Sequence, residues 1–159
     1  MTTTATPHAR RGAASDGAES TERLPRGIAV AAGVVFLLPG LWAFLAPASF
    51  YEMAATFEPY NAHFIRDIGA FQIGLGLVLV LAAFVRDALL VALLGVGTGA
   101  GFHLASHVID RGHGGDPAVD LPVFGLVAVA LLVAAAARAT HLRRHGGSLP
   151  RREGTAAGS

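Results

Sequence analysis

The sequence predicts an all-α protein: a four-helix transmembrane bundle with disordered N- and C-terminal tails. Two observations carry that expectation. Four long runs, Ile28–Ala46, Ile68–Val85, Ala88–Ile109 and Leu121–Ala137, hold no Asp, Glu, Lys or Arg. A bilayer's hydrocarbon core is about 30 Å thick, so a helix rising about 1.5 Å per residue needs about 20 apolar residues to cross it. Composition agrees: 53% of the 159 residues are hydrophobic and 14% charged, against about 25% charged in ordinary soluble domains. The organisation that follows is a tail over 1–26, one membrane domain over 27–138 and a second tail over 139–159.

The first tail is rich in Thr, Ala, Ser, Gly and charge, and too poor in apolar surface to offset the entropy of ordering. Helix 1 follows, with Pro39-Gly40 as a kink signal because proline removes one backbone hydrogen bond. Its length and long leader argue against a cleaved signal peptide, although Ala46-Pro47-Ala48 loosely resembles a cleavage site. Beyond Pro47, Phe50, Met53, Ala54 and Phe57 recur every three or four residues. That spacing suits a short helix lying on the interface, and an irregular loop is the alternative.

Helix 2 carries Gly69, Gln72 and Gly76 as a stripe suited to close packing. Only Arg86-Asp87 links it to helix 3, so the two are expected to be antiparallel neighbours. Helix 3 holds Gly95, Gly97, Gly99 and Gly101, two overlapping G-x-x-x-G patterns that can pack within one bundle or between subunits, leaving a homo-oligomer or a membrane-protein partner open. Asp116-Pro117 reads as a turn, and Asp120 as the N-cap of helix 4.

Charge sets the expected orientation. All 12 basic side chains are Arg. With four crossings, ten lie on the side of the termini and the Arg86 turn, and only Arg66 and Arg111 on the other. The positive-inside rule then places both termini in the cytoplasm, and Arg143 and Arg144 beside anionic headgroups. The outer side gathers Glu52, Glu58, Asp67, Asp110, Asp116 and Asp120, with His63, His103, His107 and His113 and an aromatic belt that includes Trp42, Tyr51 and Phe64. Cysteine is absent, which removes disulfides and thiol redox chemistry. The sparse tail arginines give no nucleic-acid footprint.

His103-x-x-x-His107-x-x-Asp110 is the pattern with most chemical content. Positions i, i+4 and i+7 share a helix face, and imidazole and carboxylate are ordinary ligands of divalent metals. His63 and Asp67 repeat the pairing at the outer end of helix 2. Arg66, Asp67, Gln72, His103, Ser106, His107 and Asp110 are therefore the expected polar cluster. His103, His107, Asp110, His63 and Asp67 are the candidate ligands should a divalent metal bind. His103 lies about 9 Å inside the outer end of its helix, where polar groups are costly and face an interior or a wet cavity. Three readings stay open: a structural cluster, a metal or haem site, and a proton or small-ligand site. Haem would need facing histidines from two helices, such as His63 and His107. H-E-x-x-H is not present, and Ser106 beside His107 points away from it.

The string Arg66-Asp67-Ile68-Gly69-Ala70-Phe71-Gln72-Ile73-Gly74-Leu75-Gly76, with Asn61–Ile65 before it, and the string Gly101–Asp110 resemble segments of small bacterial four-helix membrane proteins similar to the DoxX-like group. The resemblance covers about Arg26–Arg138. It implies a four-helix bundle in the bacterial plasma membrane and little about activity. The DoxX link to a quinol oxidase adds a quinone-linked enzyme to the alternatives. Lack of cysteine departs from thiol-linked members. The expectation is an integral membrane protein, non-catalytic or a partner subunit, with an outward-facing polar cluster between helices 2 and 3. The alternatives are a metal-assisted or quinone-linked enzyme using His103, His107 and Asp110, and a carrier.

Overall fold

The computed structural model describes residues 7–145 except Arg86, Gly112 and Gly114, with side chains from Arg23 to Arg144. Of the two tails expected to be disordered, residues 1–6 and 146–159 lie outside the described residues. The described residues form five helices: α1 (Pro7–Leu45), α2 (Pro47–Ala54), α3 (Ala62–Ala82), α4 (Leu89–Ile109) and α5 (Pro117–His145). Four stretches are long and apolar enough to cross a bilayer: Arg23–Leu45, Ala62–Ala82, Leu89–Ile109 and Pro117–Arg144. The protein is an all-α multi-pass membrane protein.

Boundaries move where local chemistry extends a helix. Helical backbone in α1 begins at Pro7, upstream of the apolar run, and runs unbroken through Pro25 and Pro39. Helix α3 starts six residues before the expected Ile68. Asn61 caps it, its side chain accepting hydrogen bonds from the backbone N–H groups of His63 and Phe64 at 3.0 and 3.2 Å. Helix α5 starts at Pro117 and not at Leu121. The N-cap is Asp116, whose Oδ1 accepts the Ala118 N–H at 3.0 Å, and Pro117 occupies the first helical position, where its missing N–H costs nothing. Asp120, expected as the cap, instead folds its Oδ2 back onto the Asp116 N–H at 3.0 Å. The helix continues past Arg138 because the alanine-rich stretch before it favours helix, and within it Thr140 donates to the Ala136 carbonyl. Arg138 itself is buried, 4% exposed.

Packing is strongest between α1 and α3 and between α4 and α5. Glycines set the first pair. Gly33 and Gly40 on α1 lie opposite Gly76 and Gly69 on α3. A Cβ on Gly76 would stand 2.7 Å from the Gly33 carbonyl oxygen, and one on Gly69 would stand 2.7 Å from that of Gly40. Only hydrogen at these positions lets two backbones come so close, and in lipid such close packing is a main source of helix association. The short link does make α3 and α4 neighbours, but they pack far less extensively than either main pair.

Ala29, Ala32, Leu79, Leu93, Leu131 and Ala135 fill the core toward the α3–α4 turn. Ala43, Phe50, Ala55 and Ile65 fill a smaller one at the opposite end. Large apolar side chains cover the outside: Phe71, Phe84 and Phe102 are each at least 75% exposed. Water would penalise such a surface heavily, whereas acyl chains solvate it.

Candidate functional site: a polar cleft at the loop end

The α1–α3 connection and the α4–α5 loop lie at one end of the bundle. Aromatic rings knit the first. Trp42 meets Phe50 edge-on at 5.3 Å between centroids, Tyr51 meets Phe57 at 6.4 Å, and Phe57 meets Phe64 at 5.9 Å. Trp42 also donates from Nε1 to Ser49 Oγ at 3.3 Å. The Gly115 N–H donates to Thr56 Oγ1 at 3.3 Å and ties the two connections together. Gly115 has φ +73°, a conformation that favours glycine, and a Cβ there would stand 2.5 Å from Asp120 Oδ2, which would have to shift.

The last two turns of α4 carry His103, Ser106 and His107 on one face. The two imidazole rings meet edge-on, 4.8 Å between centroids. Phe124 of α5 lies against both, at 4.5 Å from His103 and 4.6 Å from His107. His107 Nδ1 stands 3.6 Å from Asp120 Oδ2, an electrostatic contact longer than a hydrogen bond. Ser106 Oγ donates to the His103 carbonyl at 2.8 Å, so the hydroxyl bonds its own helix and not an imidazole. Asp120 and Phe124, one turn apart on α5, thus meet the two histidines, one turn apart on α4.

In front of this wall lies a cleft of about 440 Å³. His103, Ser106, His107 and Asp120 form its polar side, with Asp110, Arg111 and His113 near the mouth. Phe57, Phe64, Ile68 and Pro117 form its apolar side. No family, characterised protein or solved structure matches this chain. The cleft must therefore be read from its own chemistry.

Of the expected polar cluster, His103, Ser106, His107 and Asp110 line this cleft, and Arg66, Asp67 and Gln72 do not. The partners of the two histidines come from α5, not from the polar residues of α3. The reason is helix geometry. At about 100° per residue, Asp67 sits about 160° around α3 from Gly69 and His63 about 120°. Once Gly69 and Gly76 lie on α1, His63 and Asp67 must face elsewhere. They pair with each other at 3.5 Å, well exposed, an arrangement that contributes little to stability. Arg66 is exposed as well. Gln72 stands over Gly40, and its side-chain carbonyl is buried with no hydrogen-bond partner among the described residues. Phe64 and Ile68 occupy the flank of α3 that closes the cleft.

Among the described residues no three His, Asp or Glu side chains are placed to hold one metal ion. Asp110 is the C-cap, its backbone has left the helical range (φ −93°, ψ 25°), and it is exposed at the mouth, so the i, i+4, i+7 face ends before its third member. Phe57, Phe64, Asp120 and Phe124 were not foreseen as site residues. The Asp120–Phe124 spacing was the readable signal, since i and i+4 share a helix face.

Proposed function

We propose that this protein is a multi-pass protein of the bacterial plasma membrane, both termini cytoplasmic, that binds a small amphiphilic molecule in its outward-facing cleft and does not transform it. One observation carries the reading: the cleft of about 440 Å³ has a polar wall on α4 and α5 and an apolar wall of Phe57, Phe64 and Ile68. Pockets for small molecules combine an apolar lining with a few convergent polar groups in this way. Ser106 favours binding over nucleophilic chemistry, because its hydroxyl is committed to a backbone carbonyl. The resemblance to the DoxX-like group supports the four-helix frame and is silent on the ligand.

Native mass spectrometry of the full chain, released from a mild detergent, tests the proposal. A retained small-molecule adduct is expected, lost in Ser106→Trp, which fills the cleft from an exposed position. A wild-type spectrum without adducts, identical to that of the filled variant, would overturn it.

A second reading, a partner subunit or homo-oligomer, draws on α4. No atom lies within 4 Å of a Cβ built on Gly95 or Gly99, so this G-x-x-x-G face is open to another helix.

A further inference from the structure

We infer that the molecule the cleft accepts is an organic cation with an apolar body, entering from the outer leaflet. The inference rests on the binding reading above and adds the sign of the ligand's charge. With histidine neutral, the acids at the loop end (Glu52, Glu58, Asp67, Asp110, Asp116 and Asp120) outnumber the arginines Arg66 and Arg111 by four charges. Low-dielectric walls focus such a field into a concave site. Inside the cleft the same sign persists. Asp120 lies on the inner wall with its side chain only 18% exposed, and Asp110 guards the mouth. Arg111 is the one opposing fixed charge among the lining side chains; it and Asp110 are both exposed at the rim, where water screens them alike, so the less exposed Asp120 sets the sign inside.

The apolar wall points the same way. Phe57 and Phe64 both line the cleft, packed edge to face at an interplanar angle of 76°. A ring face attracts a cation within about 6 Å, and more strongly once both are desolvated. Carboxylates on one side and ring faces on the other complement an ammonium or phosphonium centre with hydrocarbon around it. Phe64 lines the cleft and is half exposed, so a molecule already dissolved in the membrane can reach this ring pair from the lipid side.

Three probes of nearly one shape and different charge separate the outcomes: tetraphenylphosphonium, neutral triphenylphosphine oxide and anionic tetraphenylborate. Each is equilibrated by dialysis against the full chain in zwitterionic nanodiscs, with empty nanodiscs subtracted. Saturable binding near one phosphonium per chain is expected, weakened about tenfold in Asp120→Asn and by no more than about twofold in Glu58→Gln, which lies outside the lining and adds only to the long-range field. Asp120→Asn removes the charge and keeps a side-chain oxygen to accept the Asp116 N–H, and circular dichroism checks that the variant folds. Tighter binding of the oxide or the borate would overturn the cationic assignment and leave the binding reading intact. A retained adduct in native mass spectra with no saturable phosphonium binding would do the same. Failure of both measurements would remove both.

Discussion

Replacing Gly76 with alanine should loosen the α1–α3 pair, and Gly74 supplies the control. The new Cβ at 76 would lie 2.7 Å from the Gly33 carbonyl oxygen, 2.7 Å from Leu37 Cγ and 3.0 Å from the Leu37 backbone nitrogen. Ordinary contact begins near 3.4 Å. Only one of the three obstacles at 76, Leu37 Cγ, is a side-chain atom; the Gly33 oxygen and the Leu37 nitrogen are backbone, so a rotamer change cannot relieve the clash. The two helices must separate by about 0.7 Å at this level, and neighbouring contacts open with them. Overpacking of this kind costs about 1–3 kcal/mol. Alanine also gains up to about 1 kcal/mol over glycine in helix propensity, which complicates a single measurement. Gly74 lies two residues away on the same helix with nothing within 4 Å of its Cβ, so Gly74→Ala takes the same propensity gain without the clash. The difference between the two variants isolates the packing, and Gly76→Ala should be the less stable by about 1–3 kcal/mol. Unfolding by sodium dodecyl sulfate in mixed micelles, followed by helicity and Trp42 fluorescence, reads it. The double variant Gly33→Ala/Gly76→Ala should cost less than the sum of its parts, because the first methyl opens the gap the second needs. Equal stability of Gly76→Ala and Gly74→Ala would refute the close-packed account.

Removing either cap at the loop end should cost about 1 kcal/mol, since Asn61→Ala and Asp116→Ala each leave helix-terminal N–H groups without their acceptor; the same mixed-micelle unfolding checks this. Threading can be mapped on a chain that holds no cysteine of its own. In intact cells a membrane-impermeant maleimide should label His113→Cys and spare Arg143→Cys, and the reverse pattern would invert the proposed orientation.

The bundle was legible because lipid imposes a coarse rule: about 20 apolar residues per crossing, and every crossing here obeys it. Which helices embrace was only half legible. Gly69, Gln72 and Gly76 announced a packing stripe, but Gly40 on the other side reads as part of a Pro-Gly kink signal and Gly33 as one small residue among many. The short link over residues 83–88 guarantees that α3 and α4 are adjacent in the chain, yet the extent of packing is decided by how closely backbones approach. The glycines that match across the α1–α3 seam are Gly33 with Gly76 and Gly40 with Gly69.

That choice of partner decides the site. Turning Gly69 and Gly76 toward α1 commits the whole rotation of α3, which sends His63 and Asp67 away from the cleft and brings Phe64 and Ile68 to it. The H-x-x-x-H spacing on α4 did predict a shared face. The spacing of Asp120 and Phe124 puts both on one face of the next helix, but which face of α4 that face meets depends on how the two helices pack. The polar character of the site is thus a local property, written in α4. Its apolar character is a consequence of glycine packing on another face of α3, at Gly69 beside Ile68 and at Gly76 about two turns on. Changing Gly69 should for that reason disturb the cleft through the seating of α3, because its new Cβ would clash only with Gly40 and Phe44 of α1, which do not line the cleft.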